Sequence, residues 1–93
     1  MDKQELPKID LSMFFLSISS AALMWMGVHP SEENKKVDIN LARQNIELLE
    51  LMEEKTKGNR TPDESALLEK LLYQTRMLFV ETIRKLEKDV TKP

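Results

Sequence analysis

Apolar and polar positions divide the chain into three helical segments of unlike character. From Leu11 to Val28 there is no charged residue. Its apolar side chains fall on every side of a helical wheel. Leu11, Phe14, Ile18 and Trp25 share one side, and Leu16 and Leu23 lie opposite. A helix that is apolar all round has to be buried all round, in protein or in lipid. Two further helical segments can hardly surround it, so the pattern predicts self-association or membrane contact. The helix should begin near Asp10 or Ser12, both good N-caps. It should end at Gly27, since glycine readily takes the left-handed conformation that closes a helix. Pro30 then prevents continuation, and Val28–Val37, with Pro30, Ser31 and Asn34, reads as a loop.

The second segment, roughly Ile39–Lys57, has Asp38 as its cap and Gly58-Asn59 as its close. Ile39, Ala42, Ile46 and Leu49 form one apolar row; Leu41, Leu48 and Met52 form an adjoining one. Together they make a stripe wide enough to touch two neighbours, with Arg43, Glu47, Glu50 and Glu54 facing away. The third segment opens on Thr61-Pro62-Asp63-Glu64, which supplies an N-cap, a first-turn proline and the acidic residue that completes a capping box. It should run to about Lys88, a length of roughly 40 Å. Its main face is Leu68, Leu71, Leu72, Thr75, Phe79, Ile83 and Leu86. A weaker apolar patch of Ala66, Tyr73, Met77 and Val80 lies across from it.

The Gly58–Thr61 connection is short, so the second and third helices should fold back as an antiparallel hairpin. Counting from the turn puts Ile39 near Val80 and leaves the third helix overhanging by about two turns, on the order of 10 Å. Ile83 and Leu86 then need cover from elsewhere. The expected fold is all-α: three helices, the last two a hairpin, completed as a bundle by oligomerisation. Residues 1–9, with Pro7, read as a flexible arm, 10–88 as a single domain and 89–93 as a tail.

Composition narrows the function classes. The 93 residues carry a net charge of −2 with both signs interspersed, unlike the basic face of a nucleic-acid binder. There is no cysteine, which excludes disulfides and thiolate metal sites. The start Met1-Asp2-Lys3-Gln4-Glu5 lacks the basic character of a signal peptide, and a cytoplasmic location is expected. An uncharged run from Leu11 to Val28 only just reaches spanning length, and its four serines argue against crossing a membrane.

No constellation of catalytic residues emerges. His29 is the single histidine, in a loop beside Glu32 and Glu33, with nothing to complete a base or a metal site. Glu47, Glu50, Glu53 and Glu54 lack the Glu-x-x-His spacing of a di-metal bundle and fit a solvated face. Ser12, Ser17, Ser19 and Ser20 have no adjacent base; Ser17, Ala21 and Trp25 instead make a ridge of small and large residues suited to close helix packing. Lys55, Lys57 and Arg60 gather where cations favour a helix C-terminus. Arg76 borders the main face of the third helix. It is suited to pair with a carboxylate of another helix or to hold an anion, though an edge residue covering the core with its stem is the simpler reading. Tyr73 should pack with its hydroxyl at the rim.

Three blocks of the sequence resemble a known family. The first is Phe14-Phe15-Leu16 with Ser20-Ala21-Ala22-Leu23 and Gly27. The second is Leu41-Ala42-Arg43-Gln44, Ile46 and Leu48-Leu49, leading into Glu53, Lys55-Thr56-Lys57-Gly58-Asn59 and Thr61. The third is Leu71-Leu72-Tyr73, Arg76-Met77 and Phe79-Val80. Together they are similar to the bacterial domain-of-unknown-function family eighteen-forty-four, over about Leu11 to Ile83. The chain departs from that pattern at Met24-Trp25-Met26 and at Gln74-Thr75. The resemblance implies a short, largely helical protein and supplies no catalytic residue.

The expected role is therefore a small helical interaction protein, not an enzyme, acting as a homo-oligomer, with a dimer the simplest form. Phe14, Phe15, Leu16, Trp25, Ile83 and Leu86 are the expected interface residues, with Arg76 and Tyr73 as polar anchors. No cofactor, metal or nucleic acid is expected; a further protein partner is left open. The alternative is membrane association through residues 11–28.

Overall fold

The computed structural model describes residues 10–28 and 37–91, with side chains through Lys88. It contains three helices: α1 (Leu11–Trp25), α2 (Ile39–Lys55) and α3 (Pro62–Thr91). The expected arm 1–9 and the loop holding His29, Pro30, Glu32 and Glu33 lie outside the described residues. The backbone of α3 continues three residues past Lys88, so the tail expected from residue 89 begins as helix.

Each helix starts where a side chain can accept an orphan N–H. The Asp10 carboxylate accepts from the Met13 amide at 3.1 Å. Asp38 accepts from the amides of Asn40 and Leu41, both at 3.1 Å. At α3 the capping box is complete: the Glu64 amide donates to the Thr61 hydroxyl at 3.1 Å, and the Thr61 amide donates to the Glu64 carboxylate at 2.8 Å. The end of α1 is a Schellman motif. Gly27 has φ +83°. Its amide donates to Met24 O at 3.0 Å, and the Val28 amide donates to Leu23 O at 2.9 Å. The chain then returns to the same spot, for the Asp38 amide donates to Trp25 O at 2.8 Å. The end of α1 and the start of α2 are therefore pinned together.

Two groups of buried side chains form the core. One joins Phe15 and Ile18 of α1 with Leu49 of α2 and Leu68, Leu71 and Leu72 of α3. The other joins Ala22 and Met26 with Ala42 and Ile46, and Leu78 and Phe79 of α3 pack against it. The chain passes from the first group to the second along α1, returns along α2, and passes to the second again along α3. Ser19, Ala22 and Ala42 are buried where α1 meets α2, and their small side chains allow close approach.

α1 therefore meets its all-round apolar pattern differently from expectation. The buried residues Phe15, Ile18, Ser19, Ala22 and Met26 recur at helical spacing, so one face is covered by α2 and α3 within the chain. Phe14, which shares a side of the wheel with Ile18, is exposed instead. In α2 the row Ala42, Ile46 and Leu49 is buried, while Leu48 of the adjoining row is exposed. α2 also stops at Lys55, two residues early: past Thr56 the bonds tighten, the Lys57 amide donating to Glu54 O at 3.4 Å and the Asn59 amide to Thr56 O at 2.8 Å, and Gly58 at φ +85° turns the chain.

The simple count from the turn sets Val80 beside Ile39. Val80 borders a depression with Arg43 and Ile46, one to two turns along α2 from Ile39.

Two changes test these junctions. Thr61→Ala removes an N-cap and should cost about 0.5–2 kcal/mol, read as a lower denaturation midpoint with unchanged slope. Gly27→Ala places a Cβ 3.0 Å from Val37 Cγ2 in a left-handed backbone. It should cost about 1–3 kcal/mol by chemical denaturation, more than the same change at Gly58, whose added Cβ would meet nothing within 4 Å.

Candidate interaction surface

The apolar side chains left on the outside fall on all three helices, with Leu48 and Leu51 exposed on α2. On α1, Met13, Phe14, Leu16 and Met24 are each more than a third exposed. On α3, Tyr73, Met77 and Val80 follow one another at spacings of four and three, a single stripe along the helix. Tyr73 is 66% exposed and Val80 52%. They border an open groove of about 670 Å³, with Leu72 in its wall and Glu69, Arg76 and Arg84 at its edges.

The expected interface residues separate into groups. Phe14 and Leu16 are exposed to the same extent, 47%. Phe15 is fully buried and belongs to the core, which corrects its expected role at an interface: the neighbouring helices of its own chain cover it. Trp25 is partly buried and packs against the second core group. Ile83 and Leu86 lie beyond Leu78 and Phe79, the last residues of α3 packed on that group; Ile83 is half-buried and Leu86 exposed.

The polar anchors also behave distinctly. Arg76 donates through Nε and Nη2 to Oε2 of Glu50 in α2, at 3.2 and 2.8 Å. It is thus an inter-helix partner rather than an edge residue with a free head. Both side chains are close to half exposed, so the pair contributes at most about 1 kcal/mol. Tyr73 does not pack as expected; its ring stands in solvent. Arg43 and Glu50, expected to face away, both turn to α3, with the Arg43 guanidinium 5.6 Å from the centre of the Phe79 ring.

Arg60 has a role that composition does not announce. Its Nη1 donates to Glu53 O at 2.8 Å and to the Thr56 hydroxyl at 3.1 Å, and its Nε donates to the Ser65 hydroxyl at 3.0 Å. It caps the end of α2 and clips it to the first turn of α3. The signal available was an arginine between Asn59 and Thr61, but its acceptors are a backbone carbonyl and two hydroxyls scattered between Glu53 and Ser65.

Little reactive chemistry accompanies these surfaces. Among the described residues no group of three or more His, Cys, Asp or Glu side chains could hold a metal. Ser17 and Ser20 are exposed, and Ser19 is buried between helices. No described helix is long and apolar enough to cross a membrane; α1 covers only Leu11–Trp25. That finding does not favour the membrane alternative.

The sequence profile of the family described as "Domain of unknown function (DUF1844)" matches residues 8–81. The chain belongs to this family. The match takes in α1, α2 and most of α3, including the Schellman turn, the Arg60 clip and the Tyr73–Val80 stripe. Membership in DUF1844 brings no assigned activity with it. Searches of curated proteins and of solved structures find no match.

The Arg60 clip is open to a direct test. Arg60→Ala should lower stability by about 1–3 kcal/mol in chemical denaturation, the usual range for hydrogen bonds from a charged group. Arg60→Lys should recover little of it, because an ammonium lacks the planar fork that reaches all three acceptors. Full recovery by lysine would show that charge alone holds the turn.

Proposed function

We propose that this DUF1844 protein is a small helical interaction protein that acts as a homo-oligomer, its simplest form a dimer. The observation that carries the reading is the uncovered apolar stripe Tyr73–Met77–Val80 on α3. Leaving such side chains in water forgoes roughly 1.5–3 kcal/mol for each large residue that could otherwise be fully buried. The exposed Met13, Phe14, Leu16 and Met24 on α1 add a second apolar area. In this reading association supplies the missing side of a bundle whose α2 and α3 form an antiparallel hairpin. The Arg76–Glu50 pair, with Arg43 against Phe79, supports the hairpin. The protein works without catalysis, metal or cofactor, and its mixed-charge surface fits a cytoplasmic setting rather than a nucleic-acid partner.

The mass of the particle tests this directly. Light scattering on purified protein at micromolar concentration, in buffer without detergent, should give about twice the 10.8 kDa of one chain. A particle of one-chain mass across the whole concentration range would overturn the proposal.

A further inference from the structure

We infer that two copies of the chain pair through α3, side by side and antiparallel, with the two-fold axis passing between Arg76 and Met77. This deepens the reading above and rests on it. The order of charges along the exposed stripe sets the geometry. Glu69 and Lys70 lie at the N-terminal end of the stripe, and Glu81 and Arg84 at the other. Glu69 and Arg84 are exposed, and among the described residues neither has an ion-pair partner within the chain.

With the two-fold axis in that place, Tyr73 faces Val80 of the partner subunit, and Met77 lies over the axis. Glu69 comes level with Arg84 of the partner subunit. Lys70 comes within about one turn of Glu81 of the partner subunit, on the flank that antiparallel helices bring together. Symmetry repeats each contact, so four oppositely charged pairs frame the apolar centre. The parallel arrangement of the same stripe sets Glu69 against Glu69 and Arg84 against Arg84, which repel. Arg76 approaches its own copy at the axis, and its bond to Glu50 neutralises that encounter. The exposed α1 face carries apolar residues and serines but no charges to fix a direction, and so it specifies no register.

The occupant of the α3 groove is therefore a second copy of this chain. Glu69 and Arg84 are fifteen residues apart on one helix, roughly 22 Å. They cannot meet within a chain, and this separation makes a charge exchange decisive. In sedimentation of the full chain, Glu69→Arg should raise the dimer dissociation constant at least tenfold. The double variant Glu69→Arg with Arg84→Glu should restore it to within a few-fold of the parent. Helix content and denaturation midpoint in dilute solution should stay unchanged throughout, since both side chains are exposed. Met77→Lys should give a monomer. A chain that is monomeric before any substitution overturns the self-association reading and this pairing together. A dimer that survives Glu69→Arg and Met77→Lys but separates on Phe14→Asp overturns the α3 pairing alone and moves the interface to α1. Loss of the dimer in Glu69→Arg without restoration in the double variant also overturns the pairing, because the partner of Glu69 would not be Arg84.

Discussion

Everything in this fold depends on the enclosure of one face of α1. Phe15 is fully buried among Leu49 of α2 and Leu68, Leu71 and Leu72 of α3, so each helix contributes to its surroundings. No two of the helices would form a closed core without it. Replacing so large a side chain by alanine in such a setting typically costs about 3–5 kcal/mol, a large share of the stability of a small domain. Further along α1, Ala22 and Met26 join Ala42 and Ile46 and extend the same contact to the second core group. The Schellman turn at Gly27 and the bond from Asp38 to Trp25 then hold α2 where it can close on that face.

Once one side of α1 is committed, the rest of the surface follows. The helix is apolar all round, so enclosing Phe15 and Ile18 leaves Phe14, Leu16 and Met24 outside. α3 is longer than either neighbour, about 45 Å against roughly 22 and 26 Å, and its first half supplies the core. Its opposite side and its far end are left to other uses. The apolar stripe and its flanking charges sit on that opposite side, outside the core.

Local chemistry was the most legible part of the sequence. Asp10, Asp38 and the Thr61–Glu64 box act within three residues, and their spacing alone reveals them. The two faces of α3 were legible for a related reason: charges separate Leu68–Leu72–Thr75 from Tyr73–Met77–Val80, so period and polarity agree. α1 offered no such contrast. With apolar residues on every side, the wheel does not say whether Phe14 or Phe15 turns inward, and the answer comes from packing against the other helices. The same holds for Arg60, Arg43 and Glu50. Their partners are a carbonyl, a ring and a guanidinium brought near by the fold, and no spacing in the chain encodes them. The family match extends over these residues and leaves their roles to be read from geometry.

The Arg76 and Arg60 joints between α2 and α3 differ in what surrounding ions can do to them. Arg76 meets a carboxylate near solvent, and that attraction weakens as salt shortens the screening distance to a few ångströms. Arg60 spends its donors on a carbonyl and two hydroxyls, none of which carries a net charge. Dissolved salt has little Coulomb attraction to screen there. The connection between α2 and α3 is thus anchored at the turn by a joint indifferent to ionic strength, while farther along the pair is held by one that is not. In concentrated salt the Arg76–Glu50 attraction would fade while the Arg60 clip kept its bonds, and the buried side chains would still hold the helices together.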